Sequence, residues 1–188
     1  GGAKFFFFVS KKESNFYVVD SEHRGLAALD NVKAIVIAEG YATADTLSQA
    51  LSCPVVAAFD SGNLLKVAQV LQNKYPEKSI VIAGDDDLTQ ESINGKNPGK
   101  EKAMEAAQLV NGAVVLPIFA PGEQMSQQLS DFNDLANKSV LGIEAVKRQV
   151  GSVVEKVSQQ AKQDSLLKLQ IPIEPKQQEI KQKRALVR

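Results

Sequence analysis

Cysteine and histidine are nearly missing from this chain of 188 residues, which holds only Cys53 and His23. A lone thiol excludes an internal disulfide and suits a reducing cytoplasm. One thiol and one imidazole cannot by themselves build a Cys/His zinc site. Long hydrophobic runs are missing too: the longest are strand-sized, so no segment reads as a membrane span. The opening Gly1-Gly-Ala-Lys-Phe-Phe-Phe-Phe8 has neither an initiating Met nor the cleavage pattern of a signal peptide, and is expected to be an internal start within a longer protein. Nor is there an excess of one charge, since 22 Lys/Arg balance 22 Asp/Glu. The balance hides a division. Residues 143–188 carry 10 Lys/Arg against 5 Asp/Glu, and residues 1–142 carry 12 against 17. A basic tail on an acidic body can lean on nucleic acid; composition alone also fits a solvated, disordered extension.

What is present is an ordinary globular composition, 44% hydrophobic and 23% charged, long enough for one well-cored domain with an appendage. Phe5–Val9 and Phe16–Asp20, on either side of a short polar turn, predict a β-hairpin. From Val32 a βα rhythm sets in. Val32–Ala38, Val55–Phe59, Ser79–Ala83 and Ala113–Leu116 read as strands. Ala44–Leu51, Leu64–Lys74 and Lys100–Val110 read as helices, with Thr43 placed to cap the first. Continuous apolar strands alternating with short helices predict a parallel sheet covered on both faces. A charged helix is expected from Ile143 to about Leu169, followed by a tail too polar to order itself.

Acidic residues gather where these strands end. Glu39 follows the first, the triplet Asp85-Asp86-Asp87 follows the third, and Asp131 and Asp134 come after the fourth. Ligands of open parallel sheets bind beyond the carboxyl ends of the strands. Carboxylates crowded there repel one another unless a divalent cation joins them, so a magnesium site serving phosphate chemistry is the first expectation. Asp85 and Asp87 flank one residue. In an extended stretch their side chains point the same way, while Asp86 faces elsewhere. Glu39 has two chemical uses: to ligate a metal, or to move protons with a pKa raised by its acidic neighbours. Asp131 and Asp134 read equally well as turn and capping residues, and Asp60 and Asn63 as turn-formers. Lys100 could meet a phosphate at the start of its helix, and exposed members of Phe5–Phe8 could stack on single-stranded bases.

The segments Ala38-Glu-Gly-Tyr-Ala-Thr-Ala44, Val56-Ala-Ala-Phe-Asp-Ser-Gly-Asn-Leu64, Gly84-Asp-Asp-Asp87, Asn97-Pro-Gly-Lys100 and Asp131-Phe-Asn-Asp-Leu135 stand in an order that resembles the Toprim domain. The wording is closest to the Toprim domains of plasmid and phage DNA primases and of mobilisation proteins. The resemblance covers roughly residues 4 to 140. It implies a Rossmann-like α/β Toprim fold with a central, mostly parallel four-stranded sheet flanked by helices, plus the N-terminal β-hairpin. It also implies three parts: the hairpin over 1–31, the Toprim unit over 32–142, and a charged helix with basic tail over 143–188.

By that resemblance Glu39 is the catalytic acid or base, and Asp85 and Asp87 are ligands for Mg2+ (or Mn2+). Asp131 and Asp134 match, more loosely, a further acidic motif near the metal. The implied activity is nucleotidyl transfer by a mobile-element DNA primase in the cytoplasm. Its partners would be single-stranded DNA, nucleoside triphosphates and the upstream domains of the parent protein. Two alternatives share the resemblance: a DNA- or partner-docking C-terminal domain of a conjugative relaxase, and Toprim-type nicking or nuclease activity.

Overall fold

The computed structural model describes residues 15–170. The Phe5–Val9 half of the expected hairpin and the basic tail beyond 170 lie outside the described residues. The Phe16–Asp20 half forms β1 (Tyr17–Val19), which is followed by a 3-10 helix over Gly25–Asn31. The remaining strands are β2 (Ala34–Ala38), β3 (Val55–Ala57), β4 (Ser79–Ala83) and β5 (Ala113–Val115). The helices are α1 (Tyr41–Leu51), α2 (Ser61–Lys74), α3 (Leu88–Asn94), α4 (Pro98–Leu109), α5 (Glu123–Gln127), α6 (Phe132–Asn137) and α7 (Gly142–Gln170).

The strands form one five-stranded sheet in the order β1-β3-β2-β4-β5. β2, β3, β4 and β5 pair in parallel, as the βα rhythm predicts, and β1 adds an antiparallel fifth strand at the β3 edge. Alternate residues of β2 and β4 go to opposite faces, as the period of two requires. Ile35, Ile37, Ile80 and Ile82 pack with Leu64, Val67, Ala68 and Leu71 of α2 and with Ala103, Ala106 and Ala107 of α4. Val36, Ala38, Val81 and Ala83 pack on the other face with Ala44 and Leu47 of α1, Phe132 and Leu135 of α6, and Ala145, Val146 and Val150 of α7. Both faces are covered, which explains why the central strands are apolar throughout rather than alternating.

This connectivity creates a switch point. From β2 the chain crosses over through α1 to β3 on one side, and from β4 it crosses through α4 on the other face to β5. β2 and β4 are neighbours, with Ala38 paired to Ala83 in the last register position. The crevice between adjacent strands whose connections diverge is where such sheets bind ligands. Glu39 and Asp85 leave these two strand ends.

One capping expectation is corrected. Gly40, extended at φ −91 and ψ 155, is the N-cap of α1, so the helix begins at Tyr41 rather than after Thr43. Thr43 lies inside the first turn, and its hydroxyl donates instead to Asp131 Oδ2 at 3.0 Å. The polar stretch after the acidic triplet is ordered as α3, capped by Asp87 and stopped at left-handed Gly95. α2 also starts earlier than its apolar pattern suggests, because Asp60 caps it by accepting from the Asn63 N–H at 2.8 Å.

The compact unit closes at Ser158, and Gln159 begins a second unit. Within the first, Val153, Val154 and Val157 of α7 pack against the buried cluster on the α1 face. Among the described residues no helix is long and apolar enough to cross a membrane.

Candidate functional site

Glu39 is placed by the end of β2. Its carbonyl accepts from the Phe59 N–H at 2.7 Å, which ties the ends of β2 and β3 together. Half-burial pushes its carboxyl up from the usual carboxylate range, and the charge of Asp60 adds to the rise. A backbone hydrogen bond from Ser61 opposes that rise without cancelling it. The result is a carboxyl that holds its proton more tightly than an ordinary glutamate does.

Asp85 stands across the crevice and is the most perturbed group of the site. Its carboxyl is pushed up to about 7, first by burial and then by the charges of Glu39, Asp131 and Asp134. Asp85 Oδ1 is buried and has no hydrogen-bond partner among the described residues. A buried oxygen is rarely left unsatisfied, and an orphan of this kind calls for an ion or a proton. The position is set by close packing from below. A Cβ on Gly84 would fall 2.5 Å from Ala103 Cβ, and one on Gly99 would fall 3.0 Å from Asp85 Cβ and 3.3 Å from its carbonyl oxygen. The first turn of α4 therefore presses directly on Asp85, and only glycine fits at both contacts.

Asp131 and Asp134 come from the start of α6. Asp131 caps that helix by accepting from the Asp134 N–H at 2.6 Å, and its other oxygen accepts from Thr43. A second bond, from the Thr46 hydroxyl to Asn133 Oδ1 at 2.9 Å, fastens α6 to α1. Asp134 is buried; it accepts from the Ser130 N–H at 3.0 Å and pairs with Lys138 at 2.7 Å. The lysine thus compensates Asp134, leaving Asp131 as the less neutralised charge facing Asp85. Capping and electrostatic roles coincide in these two residues.

The other two members of the triplet turn to different work. Asp87 caps α3, its Oδ1 accepting from the Gln90 N–H at 2.8 Å, and it is not among the charges acting on Asp85. Asp86 accepts from the Asn97 amide at 2.8 Å and from Gln124 at 3.3 Å, and lies 3.8 Å from the Lys100 ammonium. The structure thus brings together Glu39, Asp85, Asp131 and Asp134, while Asp87 borders the group.

Sequence reasoning missed the hub of this edge, Asn97. Only 3% exposed, it donates to Asp86 and Glu91 at 2.8 Å each and accepts from the Asp87 N–H at 3.2 Å. It also caps α4. The Asn-Pro-Gly run at a helix start is a cap signature, but a cap does not announce three further partners across a loop. Gln124, whose amide donates to the Asp86 carbonyl at 2.7 Å, had no local signal at all.

The donor set fits a hard divalent cation. All the converging groups are carboxylates, and magnesium is held through one or two of them while keeping its waters. Among the described residues no three His, Cys, Asp or Glu groups are arranged so that they could hold a metal ion by themselves.

Comparison with known proteins places these features. Residues 34–140 match the family described as the Toprim domain. Two DNA primase TraC proteins of Escherichia coli resemble the chain. One is 37% identical over 86% of this chain and 15% of its own length, and the other is 40% identical over 83% and 20%. The chain therefore spans a fifth or less of these relatives' length. No solved structure matches it.

Proposed function

The chain belongs to the Toprim domain family, and from that premise we propose that it is the metal-binding catalytic unit of a DNA primase. The substrates would be nucleoside triphosphates and a single-stranded DNA template, in the cytoplasm, with further domains of the parent protein completing the machinery. The observation that carries the reading is the convergence of Glu39, Asp85 and Asp131 at the switch point, with Asp85 Oδ1 buried and unpartnered. Carboxylates whose charges push the buried Asp85 carboxyl upward cost stability, and a site that binds no ion gains nothing from keeping them together.

Asp85 is the principal ligand in this reading, with Asp87 and Asp131 beside it and Asp134 orienting the α6 turn. Toprim domains as a class bind divalent metal ions; magnesium or manganese is the ion proposed here. When bound, the ion supplies positive charge to phosphate oxygens in nucleotidyl transfer. Glu39, held half-buried with a raised pKa, takes the proton of the attacking hydroxyl or returns one to the leaving group. Lys100, tethered near Asp86 and Glu91 at the start of α4, is placed to meet a phosphate.

Primer synthesis by the full-length parent protein is the test. Asp85→Ala should lower magnesium-dependent synthesis by at least about a hundredfold with template binding retained, the range expected when a charge-stabilising group is lost. Undiminished synthesis would refute the assignment and favour a docking role.

A further inference from the structure

Asp86 stands between two carboxylates assigned to the metal, yet its own polar groups are taken up by other parts of the chain. Its N–H donates to the Ser130 carbonyl at 2.7 Å. Its carbonyl accepts from the Gln124 amide at 2.7 Å and from the Leu88 N–H at 3.2 Å. Of its side-chain oxygens, Oδ1 accepts from the Asn97 amide at 2.8 Å and Oδ2 from the Gln124 amide at 3.3 Å. The Lys100 ammonium lies 3.8 Å from Oδ1, and the side chain is only 13% exposed. A residue that merely spaced two ligands would need none of these bonds.

The bonds join the two loops that carry the acids. Gln124 grips Asp86 with its side chain, and its own carbonyl accepts from the Leu129 N–H at 3.0 Å. Leu129 is 1% exposed, so this end is anchored in the core. Ser130 follows it. Its carbonyl accepts from Asp86, and its N–H donates to Asp134 Oδ2 at 3.0 Å. The Asp134 N–H in turn donates to Asp131 Oδ1 at 2.6 Å. At the other end buried Asn97 holds Asp86 to the first turn of α4, the turn on which Gly99 packs against Asp85. A carboxylate suits this node because it offers only acceptors, and donors approach both of its oxygens. An amide there would turn its own N–H groups toward one of those donors.

We propose that Asp86 is a positioning residue: it locks the loop after β4 to the turn before α6, so that Asp85 and Asp131 keep facing each other across the crevice. Asp86 holds no ion in this assignment, since amides occupy its oxygens. Its purpose rests on the metal-site reading, whereas the lock itself belongs to the metal-free fold. The carboxylates are thus held in place before an ion arrives, which spares the ordering cost that binding would otherwise carry.

Amide hydrogen exchange of the 188-residue chain, followed by NMR in EDTA, tests the lock without metal. Gln124→Ala and Asp86→Asn should each speed exchange of the Asp86, Ser130 and Asp134 amides by at least about tenfold, as loss of a hydrogen bond to a charged group does. The amides of α2 should keep their wild-type rates. Gln124→Ala leaves every carboxylate in place, so it decides the matter if Asp86→Asn fails to fold. Manganese affinity of the same variants, measured well below their melting temperatures, should fall about tenfold, an effect that a merely stabilising residue would not have. Wild-type exchange at those amides, equal acceleration throughout the domain, or wild-type manganese affinity in a variant whose amides open would each overturn the proposal. A wild-type chain that binds no manganese would instead refute the metal-site reading, and exchange in EDTA would still decide this one.

Discussion

Gly99 presses on Asp85 so closely that a methyl group at Gly99 would meet the aspartate Cβ at 3.0 Å. The contact joins the first turn of α4 to the loop after β4, and it makes the position of the most perturbed carboxylate a consequence of helix packing.

Gly99→Ala should therefore displace Asp85 by a few tenths of an ångström. We expect divalent-metal affinity to fall about tenfold, in the range seen when groups supporting a ligand are altered. Stability should change by only about 1 kcal/mol, since the helix start can shift. Isothermal titration and chemical denaturation of the same protein separate the two effects; unchanged metal affinity would show that the contact does not position the ligand.

Thr43→Val removes the hydroxyl that donates to Asp131 and keeps the side-chain shape. The part-buried carboxylate loses a partner, for an expected cost of about 1–2 kcal/mol in the absence of metal. Asp131 also becomes freer to rotate, so metal affinity should drop by several-fold. A variant as stable as wild type would mean that water replaces the hydroxyl.

The pH dependence follows from Asp85, whose carboxyl rises from 3.8 to about 7 in the folded chain. Between those values the folded state keeps a proton that the unfolded chain has released. This group's contribution to metal-free stability is therefore fully present at low pH. It declines as pH rises toward 7, then levels off. An ion must displace that proton, so metal affinity should climb by up to about tenfold per pH unit below 7 and plateau above. Melting curves in EDTA and in magnesium at pH 5.5 and pH 8 check both signs: the metal-induced rise in Tm should be larger at pH 8.

Much of this was legible in the residues. The runs Ile-Val-Ile-Ala in β2 and β4 announce buried parallel strands, and the acids that follow them announce the liganding edge. The order of five short segments suffices to suggest the family before any coordinates are seen. What stayed hidden depends on contacts between distant parts of the chain. Thr43 looks like a cap because capping is a local rule, yet its partner lies 88 residues away. Asp85 and Asp87 look equivalent by the two-residue period, but helix α3 starts at Leu88 and draws Asp87 into its cap. Asn97 and Gln124 act through loops whose approach no periodicity encodes. β1 joins the sheet at β3, and the register that makes this a fifth strand is likewise a tertiary fact.

The most direct test of the metal site is a manganese titration of the 188-residue chain at pH 8, followed by electron paramagnetic resonance of the free ion, in wild type, Asp85→Asn and Glu39→Gln. The account predicts saturable binding in wild type that Asp85→Asn abolishes or weakens at least about a hundredfold, the upper range for loss of a group that sets metal affinity. Glu39→Gln should retain binding within about tenfold, because that carboxyl is assigned to proton transfer. Equal affinity in wild type and Asp85→Asn would contradict the account at its centre.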